Sequence, residues 1–433
     1  MRDLALLLVI GAILPAILAR PHVGVLAFAW ISLMNPHRLT YGFAYGLPLA
    51  FLVFAVTLIA WLPSGERKTP GMTGLAWLLL AFTLWFSLTT SRAWAPEPAL
   101  DKFSDAIKVM AAFFLTITLV DRRERLMALV WVMTFSLGFY GVKGGLFTLL
   151  SGGATLVWGP PDTFITDNNS LALALVMVAP LLLYAAECAE GRGWLRLALL
   201  AALGLTLVAV VGTWSRGGLV ALLAMGGVLW LRSRSKLLTG ALALAVLLVA
   251  LAAMPPEWFE RMGTIETYEE DASANLRFFA WSWATDVALQ SPLLGGGFSV
   301  FVLNGIQHGS GSSYLNAHSI YFEVLGEHGF VGLGLFLAIG AGALLATLRL
   351  MRATRARPDL LWAHRLAAAI QVSLVGYAVG GAFLNMAFYD FYYYLLAVLV
   401  VMTRLVHEAP AVEEPRAEEG PGPDLRRRLL GGI

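Results

Sequence analysis

The sequence predicts an all-α, polytopic membrane protein of about twelve transmembrane helices with one long extramembrane loop. Composition is the first reason: 58% of the 433 residues are hydrophobic and 13% are charged, a balance that water-soluble domains do not carry. The second is patterning. Apolar residues come in runs long enough to span a bilayer and show no alternation of period two, so they read as helices rather than barrel strands. The third is the single long polar interruption, from Pro255 to about His318.

The first apolar run, Leu4 to Ala19, is not followed by a small-residue cleavage site before the next begins, so it reads as retained. Residues 3 to 34 are broken at Arg20-Pro21-His22 and are expected to cross once as a broken helix; two crossings would make thirteen and put the amino terminus outside. Further spans are expected near 45–62, 73–90, 105–120, 126–150, 170–186, 195–213, 217–231, 237–254, 329–350, 364–385 and 388–405. The domains are thus 1–254 and 319–405 in the membrane, the loop 255–318, and a Glu/Pro/Gly-rich tail, 406–433, expected to be disordered in the cytoplasm.

Half of the chain's 30 lysines and arginines fall in the alternate loops 63–72, 121–125, 187–196, 232–236 and 349–365, which makes that side cytoplasmic. The opposite loops hold only Arg38, Arg92, Lys102, Arg216, Arg261 and Arg277. The long loop therefore faces outward, into the periplasm of a Gram-negative cell, and the protein is expected in the inner membrane. The one cysteine, Cys188, excludes an internal disulfide and falls in a cytoplasmic loop, where a free thiol is ordinary.

The loop is not a plain linker. It opens on Pro255-Pro256 and an acidic stretch, then shows Leu276, Phe279, Trp283 and Val287 at helical spacing, predicting a surface helix over Ala274–Gln290 that Gly295-Gly296-Gly297 stops. That triglycine lacks the strand and lysine of a phosphate loop and reads as a hinge.

Charge at a membrane edge is costly, so each such residue invites a functional reading. Arg216 lies in Trp214-Ser215-Arg216-Gly217-Gly218 with no acidic residue nearby in sequence. It suits a phosphate held bidentately, or equally a headgroup anchor. Arg277, among aromatics on the loop helix, either binds a ligand or pairs with the acidic stretch. His318, in Asn316-Ala317-His318-Ser319, stands where the chain re-enters the membrane; it is a structural histidine or a proton acceptor. His308 and His328 lie ten residues to either side, which is not metal-ligand spacing, so no metal and no cofactor is expected. Lys143, in Gly141-Val142-Lys143-Gly144-Gly145, and Lys108 hold a phosphate or snorkel; Asp167 and Asn168 open a helix. Tyr389, Tyr392, Tyr393 and Tyr394 read as an interfacial belt.

Together these residues resemble the O-antigen ligase superfamily: Ser-Arg-Gly-Gly at the outer end of a late helix, an arginine in a long periplasmic loop, and Ala-His-Ser before a helix carrying Glu-x-Gly. The superfamily includes lipopolysaccharide O-antigen ligases, O-antigen polymerases and protein O-oligosaccharyltransferases. The likeness is firmest from about Asn168 to Leu350. Trp30 to Arg38 and Gly141 to Gly145 are similar to the O-glycosylation ligases associated with exosortase systems.

The resemblance implies a multi-spanning C-type glycosyltransferase that moves a glycan from undecaprenyl pyrophosphate to an acceptor hydroxyl, with inversion and without a metal. It implies that Arg216 and Arg277 grip the pyrophosphate and that His318 orients or deprotonates the acceptor, with Lys143, Lys108 and Asn168 as secondary candidates. The implied partners are the lipid-linked glycan, the lipid A core and membrane lipids, with no nucleic acid. Polymerase and protein-transfer versions share the donor and stay open. A lipid or glycan transporter ranks lower, because transporters gather polar groups at the bilayer midplane.

Overall fold

Helices are the only regular structure among the described residues, as expected of apolar segments that must satisfy their own backbone. The computed structural model describes residues 1–233, 235–252, 254–263, 272–307 and 316–410. In chain order the helices are α1 (Arg2–Ala19), α2 (His22–Met34), α3 (Leu49–Trp61), α4 (Gly74–Thr90), α5 (Pro96–Leu119), α6 (Arg123–Leu150), α7 (Asn168–Cys188) and α8 (Gly193–Gly212). There follow α9 (Arg216–Arg232), α10 (Lys236–Ala252), α11 (Pro256–Gly263), α12 (Ala272–Gln290), α13 (Val302–Gln307), α14 (Ile320–Thr354), α15 (Leu361–Gly380) and α16 (Asp390–Glu408). Seven of them, α1, α6, α7, α8, α14, α15 and α16, are long and apolar enough to cross a membrane, and α2, α3 and α4 are shorter apolar helices. The tail beyond Pro410 and most of the acidic stretch lie outside the described residues.

Helices α7 and α16 form the centre. Nearly every residue of α7 from Leu171 to Leu182 is buried, which only an all-apolar surface tolerates. Around them Leu8, Phe51, Leu84, Phe135 and Leu223 point outward and stand exposed, the face that a bilayer would cover. Glycines draw the next layer tight: a Cβ at Gly141 would collide with Thr206, and one at Gly145 with the Leu205 carbonyl, so α6 and α8 meet backbone to backbone.

Several expectations are corrected. Residues 3–34 are not one broken helix but a hairpin. Asp3 accepts from the Ala44 amide at 3.0 Å and Arg2 donates to the Leu39 carbonyl at 3.3 Å, so the start of α1 lies beside the chain that follows the end of α2. Arg20-Pro21 is the bend of that hairpin, since Pro21 cannot donate the helical hydrogen bond that would carry α1 onward. The tyrosines of α16 are no interfacial belt either. Tyr389, Tyr392, Tyr393 and Tyr394 are all buried, and the Tyr393 hydroxyl donates to the Ala387 carbonyl at 2.9 Å.

The triglycine is neither the stop of α12 nor a hinge. The helix ends at Gln290, ahead of Pro292, and the glycines instead seat against α14. The amides of Gly296 and Gly297 donate to the carbonyls of Gly326 and Glu327, both at 2.9 Å, and a Cβ at Gly295 would stand 2.6 Å from the Gly329 nitrogen. At that point α14 breaks, with Gly329 at φ 67°, and the Phe330 amide finds the Pro292 carbonyl at 2.9 Å. A broken helix inside a bundle needs such outside partners for its freed backbone groups.

Candidate active site

Three helix amino termini come to one end of the bundle. Asp167 caps α7, accepting from the amides of Asn169 and Ser170 at 2.9 and 3.0 Å. The next residue, buried Asn168, donates through Nδ2 to the Thr213 carbonyl at 2.7 Å, which ties the start of α7 to the turn between α8 and α9. In that turn Trp214 takes the left-handed conformation (φ 57°), and its indole donates to the Gly153 carbonyl at 3.2 Å. Ser215 then caps α9, its hydroxyl accepting from the Gly218 amide at 3.0 Å, so Arg216 is the first residue of α9. Gly217 and Gly218 are small because a Cβ would stand 3.3 Å from Phe383 and 2.6 Å from Ala172.

The third terminus belongs to α14. His318 precedes it in a strained left-handed conformation (φ 45°), held by the Trp281 indole of α12, which donates to the Ala317 carbonyl at 2.8 Å. The Trp281 ring stacks on Phe322 of α14, with centroids 5.0 Å apart and planes at 8°, so α12 lies over the start of α14. Arg277 is one helical turn before Trp281. Ile320 packs against Gly381 while Phe383 packs against Gly217, so the 3-10 turn Gly381–Phe383 is a wall common to the starts of α9 and α14.

The imidazole of His318 reaches solvent yet is held below its ordinary pKa, by partial burial first and by the positive charge of Arg277 second. Asp167 and Glu323 pull the other way. Thus Arg277, Asp167 and Glu323 all act on His318, and Arg216 opens the adjoining helix. Lys143 is not brought in. It is exposed on α6, whose neighbouring glycines serve the packing on α8. Lys108 pairs with Asp105 at 3.0 Å and faces a different cavity.

Sequence reasoning missed a buried cluster beside this site. Lys102 Nζ lies 2.6 Å from Glu323 and 2.7 Å from Glu327, the two carboxylates standing one turn apart on α14. Glu323 also accepts from the Ala387 amide at 3.2 Å and Glu327 from the Ser299 amide at 2.9 Å. A cavity of about 460 Å³ opens over the cluster and reaches Asn316, two residues before His318. The spacing of Glu323 and Glu327 at the mouth of an apolar helix was the available signal. His328 plays another part: it is buried among Phe82, Phe86, Phe298 and Phe388, with Nδ1 2.8 Å from the Thr89 hydroxyl.

The arrangement offers a weakly basic imidazole, guanidinium groups, and helix starts whose dipoles favour an anion. It is equipped to take a proton from a hydroxyl and to receive negative charge nearby. Comparison with known families fits this division. Residues 201–337, which include Arg216, Arg277 and His318, match the family described as O-Antigen ligase, while residues 1–190 match a family of unknown function, DUF5935. Among curated proteins none matches the chain.

Proposed function

From the premise that this chain belongs to the O-antigen ligase superfamily, carrying its ligase domain at residues 201–337, we propose that it is an inverting O-antigen ligase of the inner membrane. It moves a glycan from undecaprenyl pyrophosphate to a hydroxyl of the lipid A core on the periplasmic face. The observation that supports this reading is the packing of the 3-10 turn Gly381–Phe383 on the starts of both α9 and α14, while Trp281, one turn from Arg277, donates to the Ala317 carbonyl beside His318.

In the reaction the acceptor oxygen attacks the anomeric carbon from the face opposite the pyrophosphate. Its proton passes to neutral His318, the new carbon–oxygen bond forms, and the bond to the phosphate oxygen breaks with its electron pair. Arg216 and Arg277 meet the charge that appears on the departing pyrophosphate, where fixed cations in a site partly shielded from water stabilise the transition state most. A growing glycan or a protein hydroxyl would be served by the same donor chemistry; lipid A core is the acceptor proposed here.

The test is transfer by the purified full-length protein from lipid-linked glycan to lipid A core, read by the mass of the lipid product. His318→Ala should cut turnover by about 10²–10⁴-fold. Arg216→Lys should also fail, because an ammonium keeps the charge but not the two-pronged grip on phosphate. Full activity in both variants would remove the pair from the chemistry.

A further inference from the structure

A second cavity, of about 530 Å³, lies outside the ligase domain, between α2, α5, the segment before α7, and α16. Most of its wall belongs to the part of the chain that matches the family of unknown function. Its size is that of a small-molecule site.

Four polar atoms on its lining residues are buried without a well-formed hydrogen bond among the described residues, His37 Nδ1, Arg38 Nε, Asp390 Oδ1 and the Tyr394 hydroxyl, and Ser32 on the same wall interacts with both Asp390 and Tyr394. Tyr394 is only 4% exposed. Buried polar atoms are nearly always paired, and a wall on which one serine serves two of them while the His37 and Arg38 atoms have none points to a ligand that pairs them.

The chemistry of the walls narrows the ligand. The cations are already answered: Arg38 lies 3.3 Å from Asp162, which also accepts from the Tyr45 hydroxyl at 2.9 Å, and Lys108 lies 3.0 Å from Asp105. Burial, followed by the charge of Arg38, lowers the pKa of His37 and keeps it neutral near pH 7. Asp390 remains as a third acid on the wall, with no cation paired to it among the described residues. A hydrocarbon tail would leave the His37 and Arg38 atoms unsatisfied. What fits is a neutral molecule with many hydroxyls and apolar faces to set against Phe28, Phe113 and Phe164.

The two cavities adjoin. Asp105 and Phe164 line both, so the two lie side by side, one reaching Asp390 and the other the Lys102 cluster and Asn316, two residues before His318. We propose that this second cavity is a carbohydrate subsite, holding a neutral sugar unit of one of the two transfer substrates at a distance from the reacting bond. It rests on the reading of the chain as a glycan transferase, and either the donor glycan or the core sugars of the acceptor could supply the unit.

The experiment separates binding from turnover. Saturation-transfer NMR on the full-length protein in detergent, with free oligosaccharides released from the donor and from the core as probes, should show contact in the wild type. Contact should persist in His318→Ala and fall at least fivefold in Asp390→Asn and Tyr394→Phe. The second variant removes one hydroxyl and keeps the ring, so its melting temperature should change little while sugar contact is lost, a pattern that a purely structural tyrosine would not give. Whichever oligosaccharide gives the signal identifies the source, and the KM of that substrate alone should rise about tenfold in both variants. No contact in the wild type, or contact undiminished in both cavity variants, overturns the subsite. A wild type that binds sugar without transferring it would instead fault the proposed reaction.

Discussion

His318 must be neutral to accept a proton, so transfer is lost as pH falls through its pKa. Burial and Arg277 hold that pKa below the ordinary value of about 6.5, while Asp167 and Glu323 oppose them. The acid limb of kcat/KM, which reports the free enzyme, should therefore lie below about pH 6.5. Two substitutions should move it in opposite directions. Arg277→Gln removes a positive neighbour and should shift the limb upward; Asp167→Asn, which keeps a helix cap, removes a negative one and should shift it downward. The pH profile of each variant's residual activity decides the matter, and limbs that stay in place in both would mean that another group takes the proton.

At the scale of the element, the first turns of α14 are fixed from two sides. Lys102 of α5 pairs with Glu323 and Glu327, and the triglycine after α12 supplies amides to the carbonyls just before the break at Gly329. His318 stands directly ahead of this clamped segment, so its position depends on it. Removing one partner of a buried ion cluster leaves uncompensated charge, and Lys102→Met should destabilise the protein by about 3–5 kcal/mol. Adding Glu323→Gln and Glu327→Gln should restore much of that loss, because neutral groups need no counterion. Thermal unfolding in detergent measures both, and an unchanged melting point in Lys102→Met would show that the cluster does not hold α14. The sequence made most of the helices legible, since a bilayer demands long apolar runs; α5 and α14, however, begin at Pro96 and Ile320, well ahead of the expected 105 and 329, because their first turns carry the polar Lys102 and Glu323. It could not reveal that Lys102 meets carboxylates more than two hundred residues away, because no local pattern records that pairing. The tyrosines at the start of α16 escape for a related reason: aromatic residues there look the same whether they meet headgroups or, as Tyr393 does, the Ala387 carbonyl inside the bundle.

For the whole molecule the open question in the sequence was parity, and the hairpin of α1 and α2 bears on it directly. If residues 3–34 crossed once, the start of α1 and the segment after α2 would lie on opposite sides of the membrane. The contacts of Arg2 and Asp3 with residues 39–44 bring them to one side, the side where α7, α9 and α14 begin and where the candidate site opens. The excess of lysine and arginine in the opposite loops is the reason for proposing that this common side faces the periplasm. Cys188 makes the arrangement easy to test, because it is the chain's only cysteine, is exposed, and ends α7 at the basic face. A membrane-impermeant maleimide applied to cells with a permeabilised outer membrane should leave Cys188 unmodified until the cells are lysed. In a Cys188→Ser background, Met1 being too near the start to modify safely, Leu4→Cys and Tyr41→Cys should both label in intact cells and Ser64→Cys should not. Labelling of Tyr41→Cys without Leu4→Cys would restore the single broken crossing, and labelling of Ser64→Cys with neither would turn the protein over, leaving the proposed site facing the cytoplasm, where the proposed lipid A acceptor does not wait for its glycan.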